Sequence, residues 1–398
     1  MLLGQVVDTN SAWIADKLLE TGYKVKRIVS IPDEEDEIIN ALKEAEKKAS
    51  LIITTGGLGP TVDDITKRAF AKYLGVKMQF NRDFYEKVKE YVAKRGHILD
   101  DMLYNYSFFP EGTRFLTNNA GTAPGMLFEK NGTTVIALPG VPHEMKSIMK
   151  EEVLPLLHKK HKDFYIFKIT ILTAGEIEAA IADKLKDIVE QMPEYLSIAY
   201  LPNLGRVRIR LTATGKDKDK LKSELDRYAA LIEERLGKLV FGHDDETLEA
   251  VIGKLLREKE LYLGTAESCT GGNVGHKITS VPGSSNYYQG GIIAYSNDVK
   301  REILKVKKST LDKYGAVSEQ TVKEMVTGTI NAIGCDVAIA TTGIAGPTGS
   351  EHKPVGTIWI ACGTKDNIIT KKLQLGKNRL KNIETSTVLA LDLLRYLL

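Results

Sequence analysis

Ser268 stands in a sequence context where a hydroxyl group can do chemistry. An apolar run at 261–265 leads into the sequence AESCTGG at 266–272, and a segment predicted to be helical follows at 273–278. A serine and two glycines would therefore lie where a strand turns into a helix, beside backbone N–H groups and the positive end of a helix dipole. Such a serine serves as a nucleophile, as an anion ligand or merely as a helix N-cap. The motif alone leaves these three interpretations open.

A lysine that could activate this serine occurs in the sequence YSNDVK at 295–300, at a predicted strand-to-helix transition. Lys300 could act as a base if burial lowered its pKa, whereas the alternative is a lysine on a solvated helix surface. The pattern does not place His276 or His352 as a base, so a serine–lysine pair is favoured over a Ser-His-Asp triad. Cys269 is the rival nucleophile, but its side chain on a tight turn would point elsewhere.

Glycine- and hydroxyl-rich loops follow several predicted strands in the last third of the chain. They are 268–272, 283–285, 341–347 and 349–356. Glycine lets a ligand approach the backbone closely, and backbone N–H groups in such loops bind phosphate oxygens. Together these loops indicate a site for a phosphorylated ligand around the serine.

A second group of candidate site residues near the N-terminus combines glycines with carboxylates. The sequence TTGGLGPTVDD at 54–64 and the sequence PGVPHE at 139–144 each follow a short apolar strand. Glycines could hold phosphate oxygens while carboxylates hold Mg²⁺ or another divalent metal that bridges them. The candidate phosphate-loop residues are Gly56, Gly57, Gly59 and Gly140, and the candidate metal ligands are Asp33, Asp63, Asp64 and Glu144. The alternative for the two adjacent aspartates is a favourable charge at a helix N-terminus.

Hydrophobic periodicity predicts the elements that position the N-terminal loops. Residues 1–160 alternate between helices and strands, which indicates an α/β domain with a mostly parallel sheet that binds ligands at the carboxyl ends of its strands. The predicted helices are 10–21 and 34–49, and the predicted strands are 23–31, 50–55 and 133–138.

The rest of the chain predicts two further domains. Residues 162–243 have the pattern of a small α+β module without an obvious catalytic cluster, so we expect a spacer or docking domain. Its predicted strands are 164–172, 196–201, 206–214 and 238–241, and its predicted helices are 175–191 and 218–236. Residues 245–398 form a third, α/β unit, with predicted helices at 247–260, 273–278 and 378–398 and further strands at 290–295, 336–342 and 357–361.

Composition limits the class of protein. The chain has 398 residues, of which 43% are hydrophobic and 27% charged, as in ordinary globular proteins. A net charge of +3 is too small to favour nucleic acid or an anionic membrane. No apolar run approaches the roughly 20 residues of a membrane span, and the N-terminus reaches Asp8 too soon for a signal peptide. Three widely spaced cysteines disfavour a disulfide framework or a zinc knuckle, so we expect a cytoplasmic protein.

The motifs of residues 245–398 resemble the CinA C-terminal family, the nicotinamide-nucleotide amidohydrolases. The matching sequences are AESCTGG at 266–272, PGSS at 282–285, the run 290–300, GAVS at 315–318, GIAGP at 343–347 and KPVGT at 353–357. The resemblance implies an α/β/α fold and hydrolysis of the carboxamide of nicotinamide mononucleotide to nicotinate mononucleotide and ammonia, without a cofactor. It also implies that Ser268 is the nucleophile, Lys300 its base and Tyr295 a supporting polar group. The implied substrate-binding residues are Thr270, Gly271, Gly272, Ser285, Thr342, Gly343 and Arg379.

Amide hydrolysis makes two physical demands on such a site. An amide is a poor electrophile, so the attacking hydroxyl must be activated, and the tetrahedral oxyanion must be stabilised by fixed N–H donors. Because Ser268 directly precedes a predicted helix N-terminus, we expect that terminus to supply the donors.

Residues 2 to 157 resemble the molybdopterin-binding fold of molybdenum-cofactor biosynthesis proteins and, more closely, the N-terminal domain of full-length CinA proteins, on the motifs at 54–64 and 139–144. In CinA proteins this domain is associated with a metal-dependent ADP-ribose pyrophosphatase activity, which implies the phosphate loops and acidic ligands named above. The family begins with a further strand before the segment 2–5. Because this chain starts after that strand, we expect a weakened N-terminal activity.

The central module is similar to the KH-type module of CinA proteins. The Gly-X-X-Gly loop with which KH domains bind RNA is not evident in it, which disfavours RNA binding.

Three hypotheses about function remain. The first is an enzyme that joins an amidohydrolase to a pyrophosphatase, the second a nucleotide- or pterin-binding scaffold without catalysis, and the third a competence- or recombination-related interaction protein. The expected partners are nicotinamide mononucleotide and ADP-ribose rather than nucleic acid or a membrane, and the resemblance implies a homodimer.

Overall fold

The computed structural model of the chain describes residues 7–19, 21–61, 63–94, 100–160, 164–350 and 353–398. The chain divides into two compact units, which we call unit 1 (Met1–Ile166 with Gly215–Asp217) and unit 2 (Phe167–Thr214 with Lys218–Leu398). The segment 2–5 and His352, both considered above, lie outside the described residues. No described helix combines the length and the apolar character needed to cross a membrane.

Unit 1 combines helices with strands, as its periodicity predicts, but four strands follow one another between α5 and α6. Its helices are α1 (Thr9–Leu19), α2 (Glu35–Glu46), α3 (Thr66–Leu74), α4 (Arg82–Ala93), α5 (Asp100–Tyr106), α6 (Pro142–Ile148) and α7 (Leu154–Lys160). Its strands are β1 (Leu51–Thr55), β2 (Met78–Phe80), β3 (Phe108–Pro110), β4 (Arg114–Leu116), β5 (Gly125–Lys130) and β6 (Thr133–Leu138). The predicted helices 10–21 and 34–49 and the predicted strands 50–55 and 133–138 are therefore confirmed, with helix ends shifted by up to three residues.

The main sheet of unit 1 has the strand order β1-β6-β5-β4. β1 runs parallel to β6, but β5 is antiparallel to β6 and β4 is antiparallel to β5, so for the described strands the prediction of a mostly parallel sheet is wrong. The reason is the turn between β5 and β6, where Asn131 (φ +49°) and Gly132 (φ +79°) both adopt left-handed conformations. An Asn-Gly pair in this geometry closes a tight hairpin, whose strands must be antiparallel.

The predicted strand 23–31 is also wrong, because this segment forms no strand in the structure. Ile28 and Val29 are 53% and 52% exposed, so two successive apolar residues face solvent instead of alternating between a core and water. A strand is held by ladder hydrogen bonds to a neighbour, and among the described residues no strand pairs with this segment.

Helices cover both faces of this sheet. Successive residues of a strand point to opposite faces. Val135 and Ala137 of β6 belong to an apolar core with α2 and α3, whereas Ile136 and Leu138 belong to a second core with α1 and α6. The predicted α/β/α arrangement of the N-terminal domain is thereby confirmed.

The first part of unit 2 is a small α+β module, as predicted. Its elements are β7 (Tyr165–Ala174), α8 (Glu178–Glu190), β8 (Leu196–Asn203), β9 (Arg206–Gly215), α9 (Lys218–Leu236) and β10 (Val240–His243). The first two residues of β7 and the last residue of β9 belong to unit 1. Its strands form a sheet in the order β10-β7-β9-β8, in which β8 and β9 make the predicted hairpin.

The rest of unit 2 is a second α/β/α sandwich. Its helices are α10 (Leu248–Glu258), α11 (Asn273–Thr279), α12 (Asn297–Glu302), α13 (Lys308–Tyr314), α14 (Glu319–Thr329) and α15 (Arg379–Leu397). Its strands are β11 (Leu263–Glu267), β12 (Tyr288–Ile293), β13 (Val337–Gly343), β14 (Thr357–Gly363) and β15 (Ile368–Gln374). Helices α10, α11 and α15 share one apolar core with the sheet, and α14 shares another on the opposite face.

The strand order β12-β11-β13-β14-β15 decides where the loops of this domain meet. β12, β11 and β13 are parallel, whereas β14 and β15 follow in antiparallel fashion. Parallel neighbours end at the same edge of a sheet, where α/β proteins bind their ligands. The loops that follow Glu267, Ile293 and Gly343 therefore lie side by side.

Candidate active site

Ser268 and Lys300 form a buried pair at this edge of the sheet. Ser268 follows β11 and Lys300 lies in α12, and the distance from Lys300 Nζ to Ser268 Oγ is 3.1 Å. Ser268 is 8% exposed and Lys300 1%. The alternative of a lysine on a solvated helix surface is therefore wrong, and the predicted proximity of the serine and the lysine is confirmed.

The surroundings of Lys300 accommodate both the charged and the neutral amine. Besides Ser268 Oγ, Lys300 Nζ contacts two backbone carbonyls, Ala294 O at 2.7 Å and Tyr295 O at 3.2 Å. In its charged form Lys300 Nζ donates to all three oxygens, and in its neutral form two N–H groups stay on the carbonyls while the lone pair can accept from the Ser268 hydroxyl. Burial lowers the pKa of Lys300 to about 8, because the charged form loses its hydration. The site can thus hold Lys300 as a base near neutral pH.

The turn after Ser268 does not use this serine as a helix cap. The N-cap of α11 is Gly272, in a left-handed conformation with φ +101°. The Ser268 N–H donates instead to Thr341 O in β13, at 3.0 Å. The N-cap interpretation of Ser268 is wrong, and its hydroxyl is left to Lys300.

The predicted source of oxyanion donors is also wrong. The carboxylate of Glu267 accepts hydrogen bonds from the N–H groups of Gly272, Val274 and Gly275, at 3.0, 3.0 and 2.8 Å. These are the amides at the start of α11 that the sequence pattern assigned to a ligand. A carboxylate within the chain already occupies the positive end of the helix.

A cavity of about 310 Å³ opens in front of Ser268. The predicted site residues that line it are Ser268, Lys300, Tyr295, Thr342, Gly343 and Arg379. The predicted site residues that lie outside its lining are Thr270, Gly271, Gly272 and Ser285. Thr270 is buried and its hydroxyl contacts Glu267 Oε2 at 2.6 Å and Thr341 Oγ1 at 2.7 Å, whereas Ser285 is exposed. Tertiary packing thus places some of the predicted substrate-binding residues in the cavity lining and the others outside it.

Arg379 and Tyr295 form the polar wall of this cavity. Arg379 is the first residue of α15, and its Nη1 donates to Gly346 O at 2.8 Å while its Nη2 lies 3.2 Å from Tyr295 Oη. Tyr295 is 63% exposed. Thr342 is buried, and its hydroxyl donates to Ala316 O at 2.8 Å. The wall therefore offers one exposed cation, a phenol and a hydroxyl lone pair to a ligand.

Cys269 also lines the cavity, but its environment opposes reactivity. The residue is 5% exposed, and burial raises the pKa of its thiol to about 12. The thiolate is the reactive form of cysteine, so a thiol of this kind is inert near neutral pH. This supports the preference for Ser268 as nucleophile.

The glycine loops of unit 1 come together as predicted. A Cβ added to Gly140 would lie 3.3 Å from the Cα of Gly56, so the two loops touch. Asn10 Nδ2 donates to Gly140 O at 2.8 Å. Gly56 and Gly57 take positive φ angles of +106° and +68° and line a cavity of about 1100 Å³, together with Asp33.

The acidic residues of unit 1 do not come together as predicted. The described residues contain no group of three or more His, Cys, Asp or Glu side chains that could hold a metal ion. Asp64 Oδ2 accepts from Thr61 N at 3.0 Å and from Thr61 Oγ1 at 2.5 Å, and Glu144 Oε2 accepts from Asn118 Nδ2 at 2.9 Å. Asp63, Asp64 and Glu144 also lie outside the lining of the cavity that Asp33 borders. Among the described residues these carboxylates therefore form no preassembled group, and Asp64 and Glu144 make local hydrogen bonds instead. Metal binding by Asp33, Asp63, Asp64 and Glu144 stays a prediction.

Comparison with known proteins identifies the family. A CinA-like protein from Cytophaga hutchinsonii is 40% identical over 396 residues, covering 99% of this chain and 95% of that protein. A CinA-like protein from Flavobacterium psychrophilum is 38% identical over 399 residues, with 99% and 95% coverage. The chain belongs to the CinA family. The crystal structure of the competence/damage inducible protein CihA from Agrobacterium tumefaciens is also similar, at 36% identity over 38% of this chain and 93% of that one, with a TM-score of 0.37.

Family profiles assign three domains to this CinA protein. Residues 245–398 match the CinA C-terminal domain, residues 1–159 the probable molybdopterin binding domain and residues 169–242 the KH domain of damage-inducible protein CinA. The predicted resemblances of all three parts are thereby confirmed.

One residue of this CinA site was missed by the sequence pattern. Glu267 lies inside the motif AESCTGG, but the interpretation of this motif gave the residue no role. A carboxylate directly before a glycine-rich strand-to-helix turn is the available signal, because a helix N-terminus stabilises a negative charge within reach.

Proposed function

We propose that unit 2 hydrolyses the carboxamide of nicotinamide mononucleotide to nicotinate mononucleotide and ammonia, a reaction of pyridine nucleotide recycling. The observation that carries this proposal is the contact of 3.1 Å between Lys300 Nζ and Ser268 Oγ. The other oxygens that Lys300 Nζ contacts are carbonyls, so in the neutral amine the lone pair is the group that can accept the serine proton.

Ser268 attacks the amide carbon, and Lys300 moves the proton. As Ser268 Oγ bonds to the carboxamide carbon, neutral Lys300 takes the hydroxyl proton and then gives it to the leaving nitrogen, which departs as ammonia. The product of this step is an ester between nicotinate mononucleotide and Ser268. A water molecule then attacks the ester carbon while Lys300 accepts its proton, and returning that proton to Ser268 releases the acid.

The loop 343–347 supports the oxyanion in this proposal. Ala345 and Gly346 line the cavity, and within the described part of the chain their N–H groups have no protein partner. Fixed backbone donors in a partly buried cavity stabilise a developing oxyanion without reorganisation. They take the place of the α11 amides, which Glu267 occupies.

Arg379 supports a substrate that carries a phosphate. Its guanidinium is exposed at the cavity wall, with Tyr295 beside it, and Lys377 and Lys381 flank it in the chain. An arginine fork suits phosphate oxygens, and neighbouring lysines raise the local concentration of an anionic ligand. A cavity of about 310 Å³ is at the small end of ligand sites, which favours a mononucleotide over a dinucleotide.

Product analysis tests this proposal. The full chain is incubated with nicotinamide mononucleotide, and ammonia and nicotinate mononucleotide are measured with and without chelator. We expect equal amounts of both products and no effect of the chelator, since the proposed chemistry runs through Ser268 and Lys300. Binding without turnover would support the scaffold hypothesis instead, and reversible loss with chelator would replace the serine–lysine mechanism by a metal mechanism.

For unit 1, metal-dependent cleavage of ADP-ribose stays a prediction, as do the homodimer and the cytoplasmic location. The adjoining glycine loops around Gly56 and Gly140 support a phosphate ligand there. The scattered carboxylates give no support to a preassembled metal site.

A further inference from the structure

Glu267 has an unusual set of contacts for a carboxylate next to a nucleophile. It is 2% exposed, and both of its oxygens accept hydrogen bonds. Oε2 accepts from Gly272 N, Val274 N and Thr270 Oγ1, and Oε1 accepts from Gly275 N. The residues that donate to Glu267 thus lie within eight positions after it in the chain.

These contacts close the turn 268–272 on itself. Glu267 fixes the C-terminal end of the turn through the first amides of α11, while Ser268 N donates to Thr341 O at its start. Thr270 joins the two ends, because its hydroxyl contacts both Glu267 Oε2 and Thr341 Oγ1. The turn that carries Ser268 is therefore held at both ends by one carboxylate and one neighbouring strand.

We propose that Glu267 is a positioning residue for the amidase site: its carboxylate holds the turn 268–272 in the conformation that presents Ser268 Oγ to Lys300. This inference rests on the proposed function, because it assigns a kinetic role to the turn. It also gives Thr270 a positioning role in place of the predicted contact with substrate.

A carboxylate suits this role better than its amide analogue. Glutamine has the same shape as glutamate, but its NH₂ group cannot accept a hydrogen bond and would face N–H donors. At least one amide at the start of α11 would then be buried without a partner, and the negative charge at the positive end of the helix would be lost. The turn would lose its anchor while the apolar core around it stays unchanged.

The role of Glu267 has a second consequence, for the neighbouring thiol of Cys269. The negative charge of Glu267 adds to burial in raising the pKa of Cys269. Removal of that charge and loosening of the turn should therefore make Cys269 more reactive. Alkylation of this thiol gives a readout that does not depend on the amidase reaction.

The test compares Glu267→Gln with Glu384→Gln in the full chain. Glu384 is a suitable control because its carboxylate also contacts α11, through Asn273 Nδ2 at 3.2 Å and Lys277 Nζ at 2.9 Å, but it contacts no amide of the turn. For Glu267→Gln we expect kcat to fall about 100-fold with KM within about threefold, and for Glu384→Gln we expect both constants within about twofold. Glu267→Asp should recover part of kcat because it restores an acceptor.

The pH profile and the Thr270 variants separate positioning from a merely structural role. A displaced serine lowers kcat but leaves the burial of Lys300, so the midpoint near pH 8 should stay unchanged in Glu267→Gln. Thr270→Val should lower kcat at constant KM, and Thr270→Ser should restore it, whereas a substrate contact would raise KM. A lower melting temperature with normal kcat in the folded enzyme would overturn the proposal.

Activity-independent readouts keep this inference distinct from the proposed function. In Glu267→Gln, hydrogen exchange at the amides of Gly272, Val274 and Gly275 should rise at least about tenfold, as should iodoacetamide labelling of Cys269. If the wild-type protein released no ammonia but these changes occurred, the proposed function would fail and the anchoring by Glu267 would stand. Unchanged exchange and labelling would overturn the anchoring itself.

Discussion

The two glycine-rich strand ends of this CinA protein look alike in sequence but differ in what they assemble. In unit 2, Ser268 follows β11 and meets Lys300, a buried side chain from a separate helix. In unit 1, Asp64 follows the glycine loop after β1, but its carboxylate contacts Thr61 three residues away. The strand end in unit 2 thus pairs its hydroxyl with a buried side chain from another element, whereas the strand end in unit 1 pairs its carboxylate within its own loop.

Removal of the nucleophile in unit 2 should have the largest effect on activity. Ser268→Ala is expected to lower kcat for nicotinamide mononucleotide by about 10⁴-fold or more, because no covalent intermediate can form. Ammonia release and the melting temperature are measured together, and the fold should be intact. Cys269→Ala is the matched control and should keep kcat within about tenfold. Near-normal turnover by Ser268→Ala together with loss in Cys269→Ala would move the chemistry to the thiol.

Removal of the base tests whether the buried partner makes the difference. Lys300→Met should lower kcat by about 10²–10⁴-fold. Only the neutral amine accepts the serine proton, and the pKa of Lys300 is lowered to about 8, so wild-type kcat/KM should rise with pH up to this value and then level off. Lys300→Met should lose this rise.

The control for the lysine is Lys308→Met in α13, an exposed lysine whose Nζ lies 2.7 Å from Asp312. We expect kcat within about twofold of wild type, because exposed ion pairs contribute little. A wild-type profile without any inflection near pH 8 would contradict the role of Lys300.

Arg379 tests whether unit 2 recognises a phosphate. Arg379→Ala should raise KM for nicotinamide mononucleotide by about 10–100-fold, since a hydrogen bond to a charged group contributes about 1.5–3 kcal/mol. The matched substrate is nicotinamide riboside, which lacks the phosphate, and its KM should be the same for both proteins. An equal rise for both substrates would instead assign Arg379 to the shape of the loop, through its bond to Gly346 O.

The smallest effects are expected in unit 1, where a tight metal site would contradict the difference between the two units. Because the described carboxylates of unit 1 form no cluster, we expect Mg²⁺ alone to bind weakly, with a Kd above about 1 mM. ADP-ribose should strengthen Mg²⁺ binding, because its pyrophosphate oxygens add ligands for the metal. Asp64→Asn should weaken this nucleotide-dependent binding by about tenfold or less, and any cleavage of ADP-ribose should need added metal. Calorimetry and product analysis measure both, with Asp312→Asn in unit 2 as control. Tight Mg²⁺ binding without nucleotide would show that unit 1 is as preorganised as unit 2.

Several elements could be predicted because their signals are local. The helix 218–236 and the strand 133–138 match the structure at both ends. The apolar residues of the helix recur on one face, and the strand is a short, continuous run that is buried on both faces. The antiparallel pairing of β5 with β6 in unit 1 follows from the Asn-Gly turn at 131–132, a signal that the general pattern of helices and strands does not contain. The segment 23–31 has the composition of a strand, but ladder formation depends on a neighbour that local sequence does not name.

The sequence by itself determined which residue types stand at the ends of β11, β12 and β13, and so made Ser268 and Lys300 candidates for a pair. Only the tertiary structure decided that Lys300 is buried, that Glu267 occupies the start of α11 and that Thr270 turns away from the cavity. It also decided that Asp64 and Glu144 are satisfied by Thr61 and Asn118. The physical reason is that burial and the choice of hydrogen-bond partner depend on the exact course of the chain, in short turns as well as between distant segments, and periodicity describes neither.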